Sequence, residues 1–320
     1  MNTIATFHQD SQVGKSLARP HNLSGESAPR VFATFVAWFP LLALPALAIA
    51  IRTQLPAWGF MWAMLFAIVS GCKWLTWRLS IVRQDGVRFW HVLAYLAAWP
   101  GMDAEAFLDF VDKPLRPRLH DWTQAAGKLL LGTLVVWGLT RFVPAGRPLV
   151  AGWIGMIGLA FVLHFGLFHV FALLWQSVGI RAPHIFHSPM LARSVGDLWG
   201  SRWNLAFRDL AHTFFFRPLV GRVGVFGASL ATFVVSGLVH ELVISLPASG
   251  GYGLPTAYFL IQWLGVVVER SWLGKRLGLR HGFAGWLFAF VVVAGPMCIL
   301  FHPPFVTGVM VPFLRVIGAL

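Results

Sequence analysis

Charge is what this chain has least of: Asp, Glu, Lys and Arg make up 12% of its 320 residues, against about 25% in an ordinary soluble domain. Acid is the scarcer sign, with 12 Asp and Glu against 25 Lys and Arg, for a formal charge of +13. So few charged groups cannot clothe a water-facing globule. There are two cysteines, Cys72 and Cys298, far apart and without a C-x-x-C pattern, which argues against a disulfide framework or a thiolate metal site. No G-x-S-x-G, H-E-x-x-H or P-loop pattern is present. Tracts alternating with a period of two over about 10 residues, which a membrane β-barrel needs, are missing too.

Apolar residues fill the space that charge leaves. They make up 57% of the chain, the mean hydropathy is +0.70, and apolar runs of about 20 residues recur. The fold class that follows is all-α: a polytopic integral membrane helical bundle of about eight transmembrane helices, with re-entrant or interfacial amphipathic helices. Residues 1–30 read as a disordered polar tail carrying Lys15, Arg19 and Arg30, and residues 31–320 as one membrane-embedded domain. Val31–Ile51 is too long for the apolar core of a signal peptide and reads as the first span. Phe89–Met102 is too short to cross and reads as re-entrant or interfacial.

The basic residues are placed unevenly. Arg78–Arg88, Lys113–Lys128, Arg181–Arg222 and Arg270–Arg280 fall in loops on one side, while the other side holds Arg52, Arg141 and Arg147. This asymmetry predicts a cytoplasmic N-terminus and a cytoplasmic Asn204 loop. The positive charge therefore belongs to orientation and to anionic headgroups or an anionic cofactor, and no nucleic acid is expected as a partner.

Two stretches carry polar groups where they are expensive. The first is Asp197-Leu198-Trp199-Gly200-Ser201-Arg202-Trp203-Asn204. With Asp197 as cap, a helix through about Phe215 would gather Trp199, Trp203, Ala206, Phe207, Leu210 and Phe214 on one apolar stripe, with Ser201, Arg208 and His212 opposite. Such a helix lies at the membrane face, with Asn204 on the border of the stripe beside Gly200 and Ala211. The second stretch is Val234-Val235-Ser236-Gly237-Leu238-Val239-His240-Glu241. Ser236, Gly237 and Thr232 precede His240 on one face, and their small side chains would leave a hollow below a neutral imidazole able to accept a proton. Glu241 points about 100° away, to orient a neighbour or pair with an arginine. The plain alternatives are an asparagine bonded to nearby backbone and a histidine packed against another helix. His164 and His169 are about 140° apart on a helix and cannot easily share a metal, and His184 and His187 have no carboxylate or thiol beside them. No metal site is expected.

These two stretches, 36 residues apart at Asn204 and His240, resemble the wax synthase branch of the membrane-bound O-acyltransferases. There an F/L-W-G-x-R-W-N segment precedes an S-G-x-x-H-E segment by about three dozen residues. The likeness covers about Pro183 to Arg270; earlier residues agree only in hydropathy and length. It implies transfer of a long-chain acyl group from acyl-CoA, a cosubstrate rather than a bound cofactor, to the hydroxyl of a lipid alcohol, giving a wax-type ester. It also implies His240 as general base and Asn204 as the residue positioning substrate or polarising the carbonyl. Trp203, Arg202, Ser236, Gly237, Glu241 and Arg208 would then line the substrate site. One or two of Arg193, Arg202, Arg208, Arg217 and Arg222 would meet CoA phosphates. Diacylglycerol, a sterol or another hydroxyl are the other acceptors. A transporter or a membrane haem or quinone protein is the reading from another class, although few intramembrane charges (Glu241 and Glu269) are there to serve it. His240 lies about 17 residues into its span, so the helix must start late or the chamber must run deep.

Overall fold

The computed structural model describes residues 27–80, 87–109 and 116–320, so most of the tail expected over residues 1–30 lies outside the described residues, as do Arg83 and Lys113. Helices account for nearly all regular structure. They are α1 (Ser27–Ala50), α2 (Ala57–Leu79), α3 (Phe89–Ala98), α4 (Ala104–Leu108), α5 (Leu119–Phe142), α6 (Pro148–Ser177), α7 (Leu205–Ala248), α8 (Leu254–Arg270), α9 (Gly282–Leu300) and α10 (Pro303–Val316). Each gap between long helices carries Pro, Gly or a charged residue, which ends an apolar run at a membrane boundary. Backbone groups in hydrocarbon must bond internally, and helices satisfy them within each segment.

Six of these helices are long and apolar enough to cross a membrane: the Ala33–Ala50 part of α1, then α2, α5, α6, α7 and α9. The sequence predicted about eight. The difference lies in α8 and α10, where spans over Thr256–Trp272 and Phe305–Ile317 were expected and the helices are no longer than 17 residues. Over Phe89–Met102 the chain forms a short apolar helix, α3, ending before Trp99 and below the length of the six candidate spans. Its far end is tied to α2 by Lys73, which is buried, donates to the Gly101 carbonyl (2.5 Å) and lies over the Tyr95 ring.

The 44 residues of α7 would measure ~66 Å if straight, twice the ~30 Å of a hydrocarbon core. Gly224 breaks it with φ +69° and ψ 176°, a conformation essentially closed to residues with a side chain. Residues 225–248 then form the arm that carries His240. Arg52 donates to Ser249 Oγ (2.8 Å), placing the α1–α2 and α7–α8 turns at one end of the bundle. Arg193, Arg270 and Arg280 line one cleft at the other end. Arg52 and the Arg193, Arg270 and Arg280 cleft thus lie at opposite ends of α8.

Aromatic and aliphatic side chains fill two main cores. One holds Phe60, Met64, Ile68, Tyr95, Trp99 and Phe107, with Ala206 from the start of α7. The other holds Met61, Ile244, Tyr258, Phe259, Phe305 and Val309. Many large apolar residues stay exposed, among them Leu42, Phe66, Phe142 and Phe283. An exposed apolar belt is what a bilayer-facing surface requires.

Candidate active site

Residues 178–204 form neither a surface loop nor one amphipathic helix. They fold into a hairpin that descends beside α6 and α8. The first arm runs back along α6: Gln176 Nε2 donates to the Ala182 carbonyl (2.7 Å), His184 meets His169 (4.4 Å between ring centroids), and Phe186 packs on Phe165 and on His164 (5.6 and 5.3 Å). From residue 176 back to 164 is 12 residues, or ~18 Å along a helix. The second arm runs down α8. Val195 and Gly196 sit at Glu269, while Trp199 donates from Nε1 to Gln262 Oε1 (3.3 Å) and packs on Phe259 (5.6 Å). Main-chain bonds close the arms on each other: His187 N donates to the Arg202 carbonyl (2.8 Å) and Leu205 N to the Ile185 carbonyl (3.0 Å). Trp203 and Asn204 lie at this closed tip, level with the middle of α6.

The local structure departs from the expected helix in two ways. Ser194, not Asp197, caps the first turn, its side chain accepting from Asp197 N. The helix also stops at Arg202 and restarts at Leu205, because Asn204 adopts a left-handed conformation (φ 43°, ψ 60°). Asparagine tolerates this region better than most residues, and its Oδ1 then caps α7 through Phe207 N (3.5 Å). Among the described residues no protein acceptor takes the Asn204 amide N–H groups.

Asp197 works instead as a brace. It accepts from Ser201 Oγ (2.6 Å), Arg193 N (3.0 Å) and Arg202 Nε (2.7 Å). Burial works against its charge, but these bonds outweigh that and hold its carboxyl below the usual range. Arg202 and Arg208, expected on the substrate, are largely spent on the hairpin. Arg202 also faces the carbonyls of His187 and Ser188, and Arg208 donates to the Gly200 carbonyl (2.7 Å) and pairs with Asp209 (2.7 Å). Glu269 was noted in the sequence only as an intramembrane charge. It is buried and takes both Val195 N (2.7 Å) and Gly196 N (3.0 Å), fixing the upper part of the second arm.

His240 donates from Nδ1 to the Ser236 carbonyl (2.7 Å). A carbonyl can only accept, so in the neutral ring the proton sits on Nδ1 and the lone pair on Nε2. Its ring packs on Phe259 at 4.5 Å, the same ring that Trp199 meets. The hairpin and the His240 helix therefore share one wall. Ser236 serves through its carbonyl, and its hydroxyl donates to Thr232 O (2.9 Å). Gly237 is not the floor of a hollow: a Cβ there would lie 2.7 Å from Thr256 Cα, so this glycine allows α7 and α8 to touch. Glu241 Oε1 accepts from Gly253 N, Thr256 N and Thr256 Oγ1 (3.0, 3.1 and 2.9 Å), while Oε2 is enclosed and unpartnered. No arginine pairs with it among the described residues.

Two further features had no sequence signal. A cleft of about 460 Å³ at the top of the hairpin is lined by Arg193, Arg202, Arg270 and Arg280, with Ser194, Gly196, Asp197 and Glu269. Of the arginines named from sequence, only Arg193 and Arg202 reach it. Three of the five π-helical turns among the described residues, Phe161–Leu167, Leu198–Arg202 and Glu241–Ser245, lie next to or within the site, and the other two, His212–Phe216 and Val306–Met310, lie elsewhere. His184 lies beside His169 and His187 (4.4 and 6.3 Å between ring centroids), but among the described residues no group of three or more His, Cys, Asp or Glu is arranged to hold a metal.

Residues 182–261 match the model of the membrane bound O-acyl transferase family. Relatives include "Probable long-chain-alcohol O-fatty-acyltransferase 2" of Arabidopsis thaliana, 40% identical over 85 residues, 24% of this chain and 25% of that protein. The "Long-chain-alcohol O-fatty-acyltransferase" of Simmondsia chinensis is 33% identical over 124 residues, 34% of this chain and 35% of that one. "Acyl-CoA--sterol O-acyltransferase 1" of Arabidopsis thaliana is 38% identical over 65 residues, 18% and 19% of the two chains. The matches thus span well under half the length of these relatives. The hairpin, the His240 arm and the first turns of α8 are the matched stretch, and this all-α integral membrane protein resembles the wax synthase-like branch of the membrane-bound O-acyltransferases through it.

Proposed function

We propose that the protein transfers a long-chain acyl group from acyl-CoA to the hydroxyl of a lipid alcohol, forming a wax-type ester. The observation that carries this reading is the His240 tautomer, with Nδ1 committed to Ser236 and Nε2 left as the base, on a wall shared with the Asn204 hairpin. Nε2 takes the alcohol proton as the oxygen attacks the thioester carbonyl. The Asn204 amide donates to the carbonyl oxygen as charge builds on it. The C–S bond breaks, the CoA sulfur leaves with the electron pair, and the imidazolium returns the proton to it. The thioester is already activated, so no covalent enzyme intermediate is required.

The arginine cleft supports a phosphate-bearing donor. Its α8 lining, Glu269 and Arg270, lies 10 and 11 residues from Phe259, ~15–16 Å along the helix. A slender arm from phosphates in the cleft to a thioester at His240 would bridge that depth. The span depth of His240 then needs no late helix start, because the hairpin descends to meet it. The cleft side, with the N-terminus, faces the cytoplasm on this reading, where acyl-CoA is found.

The test is ester formation by membranes given labelled palmitoyl-CoA and a panel of fatty alcohols, sterols and diacylglycerol. His240→Ala is expected to lower turnover by about 10²–10⁴-fold with protein yield intact. Unchanged turnover in that variant would remove His240 from the mechanism.

A further inference from the structure

A second imidazole stands across the hairpin tip from His240. His164, in the π-helical stretch of α6, has its ring beside Phe186 (5.3 Å), Phe168 (5.7 Å) and Trp203 (6.3 Å, nearly parallel at 29°). Phe165 closes the cage against Trp203 and Phe186. Nδ1 leans toward the Ala160 carbonyl but lies outside hydrogen-bond geometry, enclosed and unpartnered. No protein group bonds Nε2 among the described residues, and Nε2 is not shut in as Nδ1 is. Buried imidazole nitrogens ordinarily find partners. As His240 does with Ser236, His164 turns Nδ1 toward the carbonyl four residues back, which leaves Nε2 as its free acceptor.

We propose that His164 binds the hydroxyl of the lipid alcohol before it reaches His240, with the O–H donating to Nε2 and the alkyl chain lying along Phe165, Phe168, Phe186 and Trp203. This rests on the acyl-transfer reading above, and two observations favour the alcohol over the acyl donor. The donor's phosphate cleft and the Phe259 wall both lie on the α8 side of the hairpin, while His164 lies on the α6 side. Three aromatic rings, Phe168, Phe186 and Trp203, face the His164 ring, which suits a lipid with one polar atom. His164 is then a substrate-contacting residue for the acceptor and takes no part in proton transfer.

The test uses the full-length protein in membranes with a long-chain alcohol bearing a photoactivatable diazirine, mapped by mass spectrometry, alongside ester kinetics. Labelling is expected on the peptides carrying Phe165, Phe168 or Phe186. His164→Phe should reduce it about five- to tenfold, the worth of one neutral hydrogen bond, and His164→Gln, whose amide can stand near Nε2, should restore much of it. In turnover, His164→Phe should raise KM for the alcohol by a similar factor and leave KM for acyl-CoA and kcat near wild type. Labelling confined to other segments in the unaltered protein overturns the inference without any variant having to fold, and so does undiminished labelling of His164→Phe. If the unaltered protein makes no ester yet its labelling falls in His164→Phe, the alcohol site stands and the acyl-transfer reading falls.

Discussion

Glu269→Gln is the most direct probe of what holds the hairpin. The two carboxylate oxygens each take one main-chain N–H from the second arm, at 2.7 and 3.0 Å, and the side chain is buried. A glutamine of the same shape keeps one acceptor and turns an NH₂ toward the other donor. One bond loses its charge assistance, about 1 kcal/mol, and the other leaves a buried N–H unpaired, about 1–3 kcal/mol. The sum is ~3 kcal/mol, which should lower the apparent unfolding temperature in detergent by roughly 4–6 °C. Gly196→Ala attacks the same contact from the opposite side, since its Cβ would lie 2.7 Å from Glu269 Oε1. The double variant should therefore cost clearly less than the two singles added together. Ester formation should fall in both singles, because the arm they loosen carries Trp199 toward Phe259. A Glu269→Gln protein that unfolds at the wild-type temperature, or a strictly additive double variant, would refute the idea that this carboxylate pins the site.

Other perturbations separate the remaining parts. Arg270→Ala and Arg280→Ala should each raise KM for acyl-CoA by about five- to twentyfold, most at low salt, with kcat nearly constant; equal effects on the alcohol KM would argue against a donor cleft. Gly224→Ala must force a side chain into φ +69° and should cost about 1–3 kcal/mol in thermal unfolding. Asp197 has a depressed carboxyl pKa, so its stabilisation is complete above the unfolded value near ~3.9 and is lost as pH falls through the lower folded value. With 26% of its side chain exposed, its pairing is worth no more than about 1 kcal/mol. The unfolding-temperature gap between wild type and Asp197→Asn should stay constant from about pH 5 to 8 and narrow only below about pH 4.

The fold class and the outline of the site were legible because they rest on composition and on polar groups set in oil. An imidazole in an apolar run, as at His240, stands out in one dimension. The count of crossings was less so, since α8, at 17 residues, sits at the short limit of a span and α10 is shorter still. The course of the hairpin was hidden for a different reason. A 100° step continues through Asn204 as readily as through any residue, and nothing local announces that its backbone turns left-handed. Likewise Glu269 gave no clue to its partners, which are main-chain amides 74 and 73 residues away. His164 was weighed against His169 for a shared metal, while its actual neighbours, Phe186 and Trp203, come from the hairpin.

The hairpin's arms are joined to each other and to α8 largely through main-chain groups, at 185 and 205, 187 and 202, and 195–196 with Glu269. Such a unit can travel as a cassette. Residues 182–261, the stretch that matches the family model, contain both arms and the helix rising from them. The surrounding helices supply its walls and ties, α6 through Phe165, His169 and Gln176 and α8 through Gln262 and Glu269. A chimera that grafts this stretch between foreign apolar helices would have to rebuild at least a carboxylate at the position of Glu269, an amide at that of Gln262 and an aromatic wall where α6 now stands.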